Sequence, residues 1–250
     1  MRTTACFATL VLAFALPFAA AAQQITVSAA ASLADAFKAL APRFQATRPG
    51  ATVRFNFAAS GTLLQQIAQG APVDVFASAD QDTMDRGAGQ KLVDADTRTD
   101  FVTNSLVLVE PSQDGAGIKT LQDLAGPAVR RIAVGKSATV PVGRYTRQVL
   151  ETARLWAVLE PKFVLADSVR QVLDYVSRGE VEAGFVYRTD AAIAGDKVRI
   201  VLSPSGHAPV RYPVAVVADS RQKALAKDFI AFLTSDAGQQ ILARYGFGKP

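Results

Sequence analysis

Cysteine and histidine are nearly absent: the 250 residues hold one of each, Cys6 and His207. A single thiol builds no disulfide framework, and the usual zinc sets of cysteine and histidine lack ligands. His207 lies in Ser205-Gly206-His207-Ala208-Pro209 with no metal-ligand spacing around it, so it is expected as an exposed loop residue. One histidine also leaves little from which to assemble a Ser-His-Asp triad. Ser60, in Ala58-Ala59-Ser60-Gly61-Thr62, does not sit in the Gly-x-Ser-x-Gly of a nucleophile elbow. A secreted serine hydrolase is therefore the weaker alternative, and the chain is expected not to be an enzyme.

Long apolar runs are missing after the first residues. Arg2, the apolar segment Cys6 to Phe18 with Pro17 near its end, and the alanines Ala19 to Ala22 have the layout of a signal peptide. Residues 1–22 are expected to be removed near Ala22, taking Cys6 with them. No later stretch approaches the roughly 18 apolar residues of a membrane span, so the remainder is expected to be exported and soluble in the periplasm. Runs of like charge are missing too. The 27 basic and 22 acidic residues give a formal net charge of +5, but the basic excess is scattered over Arg43, Arg48, Arg54, Arg130, Arg131, Lys136, Arg144 and Arg147. No aromatic residues interleave with a basic stripe, which argues against a nucleic-acid groove and leaves a solvated, mildly anion-attracting surface.

What is present is an alternation of short β-branched or apolar runs with helical repeats. Ile25 to Ala29 reads as a strand, and Leu33, Ala36, Phe37, Leu40 and Phe44 share one face of a helix that Arg48-Pro49-Gly50 stops. Strands follow at Val53 to Phe57 and Val73 to Ala77, with a helix between them that ends at Gly70. Further strands are expected at 104–109, 132–134, 163–165, 183–186, 198–202 and 212–217, with helices at 142–152 and 169–177 and two closing helices within 224–245. This pattern predicts an α/β protein of two lobes, each an open, mostly parallel sheet flanked by helices, with a ligand cleft between them. The first lobe is expected to be discontinuous, residues 23–102 with 214–250, and the second to span 103–213.

In open α/β sheets, ligands collect outside the carboxyl ends of strands, where helices begin. Four such turns are rich in small or hydroxyl residues: Ala29-Ala30-Ala31-Ser32-Leu33, Ala58-Ala59-Ser60-Gly61-Thr62, Ser137 to Gly143 and Asp167-Ser168-Val169-Arg170. The free N–H groups of a helix start, with the helix dipole, attract an anion without any formal positive charge. The same residues are also ordinary N-caps, each worth about 1 kcal/mol. Asp74 and Asp80 would repel an anion and are expected to cap a helix or tie down the crossing segments.

The order and spacing of several segments give the chain a more specific likeness. They are Ile25-Thr26-Val27 before Ala29 to Leu33, Phe57 to Leu63, Gly70 to Asp80, Asn104-Ser105-Leu106-Val107, Val140-Pro141-Val142-Gly143, Gly184-Phe185-Val186-Tyr187, Tyr212 to Val217 and Arg244-Tyr245-Gly246-Phe247. Through them almost the whole chain after the leader resembles the periplasmic molybdate-binding proteins of molybdate ABC transporters, which are type II periplasmic binding proteins. The resemblance implies two lobes closing over a dehydrated oxyanion. Ser32 and Ser60 would donate through hydroxyl and backbone N–H groups, Val142 and Val169 through backbone N–H, and Tyr187 through its phenol. It implies molybdate or tungstate as ligand, with molybdenum held only as the oxyanion, no cofactor, a membrane permease as partner and a monomeric state. Sulfate or another small oxyanion is the alternative within this class. Ala59 stands where a serine is common in that family, removing one hydroxyl, and Tyr145, Tyr175 and Tyr212 are other phenols in reach of the argument.

Overall fold

The structure is a computed structural model that describes residues 23–250; the expected leader lies outside the described residues. In chain order the main elements are β1 (Gln23–Ala30), α1 (Ala34–Thr47), β2 (Ala51–Ala58), α2 (Ser60–Ala68), β3 (Val75–Ala77), α3 (Gln81–Gly89), β4 (Thr99–Thr103) and β5 (Leu106–Pro111). They continue with β6 (Ile132–Gly135), α4 (Pro141–Thr152), α5 (Trp156–Leu159), β7 (Phe163–Ala166), α6 (Val169–Ser177), β8 (Ala183–Tyr187) and α7 (Arg188–Ala194). The last are β9 (Val198–Leu202), β10 (Arg211–Val216), α8 (Lys223–Thr234) and α9 (Asp236–Arg244).

Two five-stranded sheets organise the chain, in the orders β2-β1-β3-β10-β4 and β7-β6-β8-β5-β9. In the first, β1 runs parallel to β2 and β3, while β10 is antiparallel to β3 and β4. In the second, β6 runs parallel to β7 and β8, while β5 is antiparallel to β8 and β9. Each sheet thus has four strands running one way and one against them, which meets the expectation of a mostly parallel sheet. The opposing strands, β10 and β5, are the first laid down after the chain crosses from one sheet to the other. The edge strand β4 was not anticipated: Thr99-Asp100-Phe101-Val102-Thr103 buries only Phe101 and Val102, and its pairing comes from the distant β10.

The helices form for the reasons their sequences suggest. In α1, Ala36, Phe37, Leu40 and Phe44 recur at helical spacing and are buried, and Gly50 supplies the left-handed φ of +85° that turns the chain into β2. Phe37 and Phe44 meet Phe229 of α8 edge-on at centroid separations of 5.9 and 5.2 Å. The C-terminal helices are thereby fastened onto the first lobe, close to where β10 re-enters its sheet. No helix among the described residues is long and apolar enough to cross a membrane.

Candidate ligand-binding site

The carboxyl ends of β1, β2, β6, β7 and β8 converge where the two lobes meet. Ser32 follows β1, Ser60 opens α2, Val142 lies in the first turn of α4, Val169 opens α6, and Tyr187 ends β8. All five line one small cavity of about 10 Å³, room for the centre of roughly one water-sized sphere. No charged side chain lines it; the remaining walls are alanines, Val140 and Pro141.

The donors are of two kinds. Val142 and Val169 occupy first-turn helix positions, whose N–H groups have no acceptor within the helix. Pro141, at the first position of α4, gives up an N–H that would be unpaired in any case. Three hydroxyls complete the set. Ser60 Oγ accepts the Ala79 N–H at 3.0 Å, which leaves the serine proton free for the cavity. Ser32 Oγ lies 2.9 Å from the Tyr212 phenol oxygen. Tyr187 is 1% exposed and its phenol has no hydrogen-bond partner among the described residues. Burial also pushes the Tyr187 phenol well above its ordinary range, so it stays protonated and available as a donor. A buried hydroxyl without a partner costs about 1–3 kcal/mol, an expense that a ligand accepting its proton would offset.

The cations near the site do not line the cavity and are paired with carboxylates. Arg144, on α4, crosses to the first lobe, where its Nε donates to Asp80 at 2.6 Å and its Nη2 to Thr83 Oγ1 at 2.6 Å. Asp80 also accepts the Thr83 N–H at 3.2 Å, capping α3 as anticipated. Asp74 instead ties Thr26 N–H to the Ser220 hydroxyl, at 2.8 and 2.6 Å, within the first lobe. Arg170, on α6, lies 2.8 Å from Asp35 of α1 and 2.8 Å from Asp190 of α7. Burial pushes the Asp190 carboxyl up to about 6, although Arg170 pulls in the other direction. A backbone contact joins the lobes as well, with Gly61 N–H donating to Thr139 O at 2.9 Å. The contacts between the lobes were not read from the sequence, because Arg144 with Asp80, Arg170 with Asp35 and Gly61 with Thr139 each pair residues far apart in the chain.

The alternative tyrosines separate cleanly. Tyr212 is buried and bonds Ser32 rather than lining the cavity, and Tyr145 packs edge-on against Tyr187 at 6.4 Å. His207, expected as exposed, is half-buried against the Tyr145 ring at 5.6 Å, because its loop folds back over α4. A depression of about 740 Å³ beside Asp114, Asp174 and Arg178 is open and mixes both signs of charge, with no converging helix starts. Among the described residues no three His, Cys, Asp or Glu side chains are grouped to hold a metal ion.

Comparison with known proteins bears on the family and the fold. Residues 25–248 match the sequence model of the bacterial extracellular solute-binding proteins. The chain is 38% identical over 248 residues to the molybdate-binding protein ModA of Escherichia coli, covering 96% of each. Among solved structures it is similar to the periplasmic molybdate-binding protein of Azotobacter vinelandii, with a TM-score of 0.78, 24% identity, and 90% and 99% of the two chains covered. It is equally similar to the sulfate-binding protein SubI of Mycobacterium tuberculosis, with a TM-score of 0.79, 20% identity, and 90% and 86% covered. At these identities the two structures speak for the fold and do not distinguish one oxyanion from the other.

Proposed function

The chain belongs to the bacterial extracellular solute-binding proteins, and we propose that within this family it captures molybdate, and tungstate with it, for the permease of a molybdate ABC transporter. The observation that carries the reading is the uncharged cavity into which a partnerless phenol, two serine hydroxyls and two helix starts converge. Its favoured occupant is a small, fully deprotonated anion, because such a ligand accepts from every donor and offers no proton that would need an acceptor. The name of the Escherichia coli relative supports molybdate over sulfate.

In this reading Ser32 and Ser60 donate from the first lobe through hydroxyl and N–H groups. Val142 and Val169 donate backbone N–H, and Tyr187 its phenolic O–H, from the second. Molybdenum is held only through the oxygens of the anion, and no cofactor takes part. The lobes divide near residues 103 and 213, residues 1–22 are cleaved on export, and the mature protein works as a periplasmic monomer.

Titration calorimetry on residues 23–250 with molybdate, tungstate, sulfate and phosphate tests this directly. Molybdate and tungstate are expected to bind with similar affinity, well ahead of sulfate and phosphate. Tight sulfate binding without a molybdate response would overturn the assignment in favour of a sulfate carrier.

A further inference from the structure

A serine hydroxyl can donate or accept, and in a site without formal charge that choice decides whether it attracts or repels an anion. For Ser32 the choice is made outside the cavity. Its Oγ lies 2.9 Å from the Tyr212 Oη, and either atom could donate across that contact taken alone. The Tyr212 oxygen, however, is 3.3 Å from Asn104 Nδ2, which also donates to Thr189 Oγ1 at 2.9 Å. The Asn104 amide is oriented by its own Oδ1, which accepts the Ser105 N–H at 2.9 Å. An amide nitrogen only donates, so Tyr212 accepts a hydrogen bond from Asn104 and its own O–H needs another acceptor. Ser32 Oγ is the acceptor that the described residues offer it.

We propose that Asn104 and Tyr212 form a donor relay that fixes the Ser32 hydroxyl as a hydrogen-bond donor to the bound oxyanion. Asn104 Nδ2 donates to Tyr212, Tyr212 donates to Ser32, and the Ser32 proton is left pointing to the cavity. Neither Asn104 nor Tyr212 lines that cavity, so both are positioning residues. The relay rests on the oxyanion reading of the site. It also spans the fold: Asn104 sits between β4 and β5 on the chain crossing the lobes, Tyr212 is on β10, and Thr189 is on α7 of the second lobe. The donor direction of a first-lobe serine is therefore tied to second-lobe and crossing residues. Ser60 obtains the same polarity more simply, from the Ala79 N–H.

A double-mutant cycle of Tyr212→Phe and Ser32→Ala, read by calorimetry with molybdate, tungstate and sulfate, tests the relay. Tyr212→Phe is expected to weaken binding about 3- to 10-fold in the wild-type background, the worth of one net hydrogen bond, and to have no further effect once Ser32 is alanine. Binding as tight as or tighter than wild type in Tyr212→Phe would mean that Ser32 had been donating to Tyr212, and would overturn the relay. An equal loss in both backgrounds would overturn it too, as the mark of a general packing role. Asn104→Asp provides a second variant should Tyr212→Phe fold poorly. Its carboxylate draws the Tyr212 proton away from Ser32, so its penalty should be larger with Ser32 present than with alanine there; equal penalties refute the relay. Molybdate binding without coupling removes the relay and leaves the proposed function standing. Coupling seen only with sulfate does the reverse, and no binding of any oxyanion overturns both.

Discussion

Replacing Tyr187 by phenylalanine should move stability and binding in opposite directions. The ring is held by edge contacts to Tyr145 and Tyr212, at 6.4 and 5.8 Å, which phenylalanine keeps. The hydroxyl is buried and has no partner among the described residues, so deleting it relieves a penalty of about 1–3 kcal/mol in the empty protein. In the complex the same deletion removes a hydrogen bond to an anion, worth about 1.5–3 kcal/mol, or roughly a 10- to 150-fold loss of affinity. Linkage turns that loss into a smaller thermal shift on adding ligand. Each kcal/mol corresponds to roughly 2–4 °C for a chain of this size, so the molybdate-induced rise in Tm should shrink by about 3–12 °C. Calorimetric titration with thermal unfolding of both variants, with and without molybdate, measures the two effects separately. An empty Tyr187→Phe protein that melts several degrees lower and binds molybdate normally would refute the reasoning, because the hydroxyl would then serve the fold and not the ligand.

Two further substitutions probe the ties between the lobes. Arg170→Met strips the counter-ion from the fully buried Asp190 and should cost about 3–5 kcal/mol in denaturant unfolding at pH 8. The Asp190 carboxyl, at about 6 in the folded protein, lies above its unfolded value, so its stabilising contribution is complete below roughly pH 4 and is lost as pH rises through 6. The Arg170→Met deficit should therefore shrink at pH 5, and a deficit that grows on acidification would contradict the account. Gly61→Ala sets a Cβ 2.7 Å from the Thr139 backbone across the interface, an overpacking of about 1–3 kcal/mol that acts only when the lobes meet. The contact is made in the empty protein, so its Tm should fall by roughly 2–12 °C; an unchanged Tm would mean that the lobes stand apart until ligand binds.

How much of this was legible in the sequence differs from residue to residue. The Phe37, Leu40 and Phe44 stripe and the run Val169 to Ser177 showed their helices through local periodicity alone, and the observed α6 begins and ends at those residues. Ser32 and Ser60 stood out because small and hydroxyl residues preceded helical repeats at strand ends. Val142 and Val169 could not be singled out that way, since a backbone N–H leaves no mark on residue type, and they came from the family resemblance. Tyr187 was put ahead of the other phenols by the family resemblance, and its burial and lack of a partner among the described residues could not be read from the sequence. The contact of Asn104 with Tyr212, that of Arg144 with Asp80, and the strand β4 were illegible for a common reason. Each depends on a partner brought near only by the chain crossing twice between the sheets, and no local pattern encodes that.

The division of labour between charge and dipole bears on how such a site can release what it holds. The two arginines nearest the cavity spend their charge on carboxylates, and in Asp80 and Asp35 those carboxylates belong to the opposite lobe. On the proposed reading the anion would be left to neutral donors, each contributing a modest increment. Had either guanidinium faced the cavity, one buried ion pair would dominate the affinity, and every extra 1.4 kcal/mol would lengthen the residence time about tenfold. Here the ligand-facing donors are drawn from both lobes, and the ion pairs that hold the lobes together lie outside the cavity. On the proposed reading, opening the lobes would separate the donors from one another and break the ion pairs in the same movement. The anion would then lose its ring of dipoles at once, without any proton transfer or exchange of a counter-ion. A carrier that must bind a scarce anion and then surrender it to a membrane partner needs this coupling between opening and release. The geometry makes the partner's task a mechanical one: to pull apart two surfaces joined by Arg144, Arg170 and the Gly61–Thr139 contact.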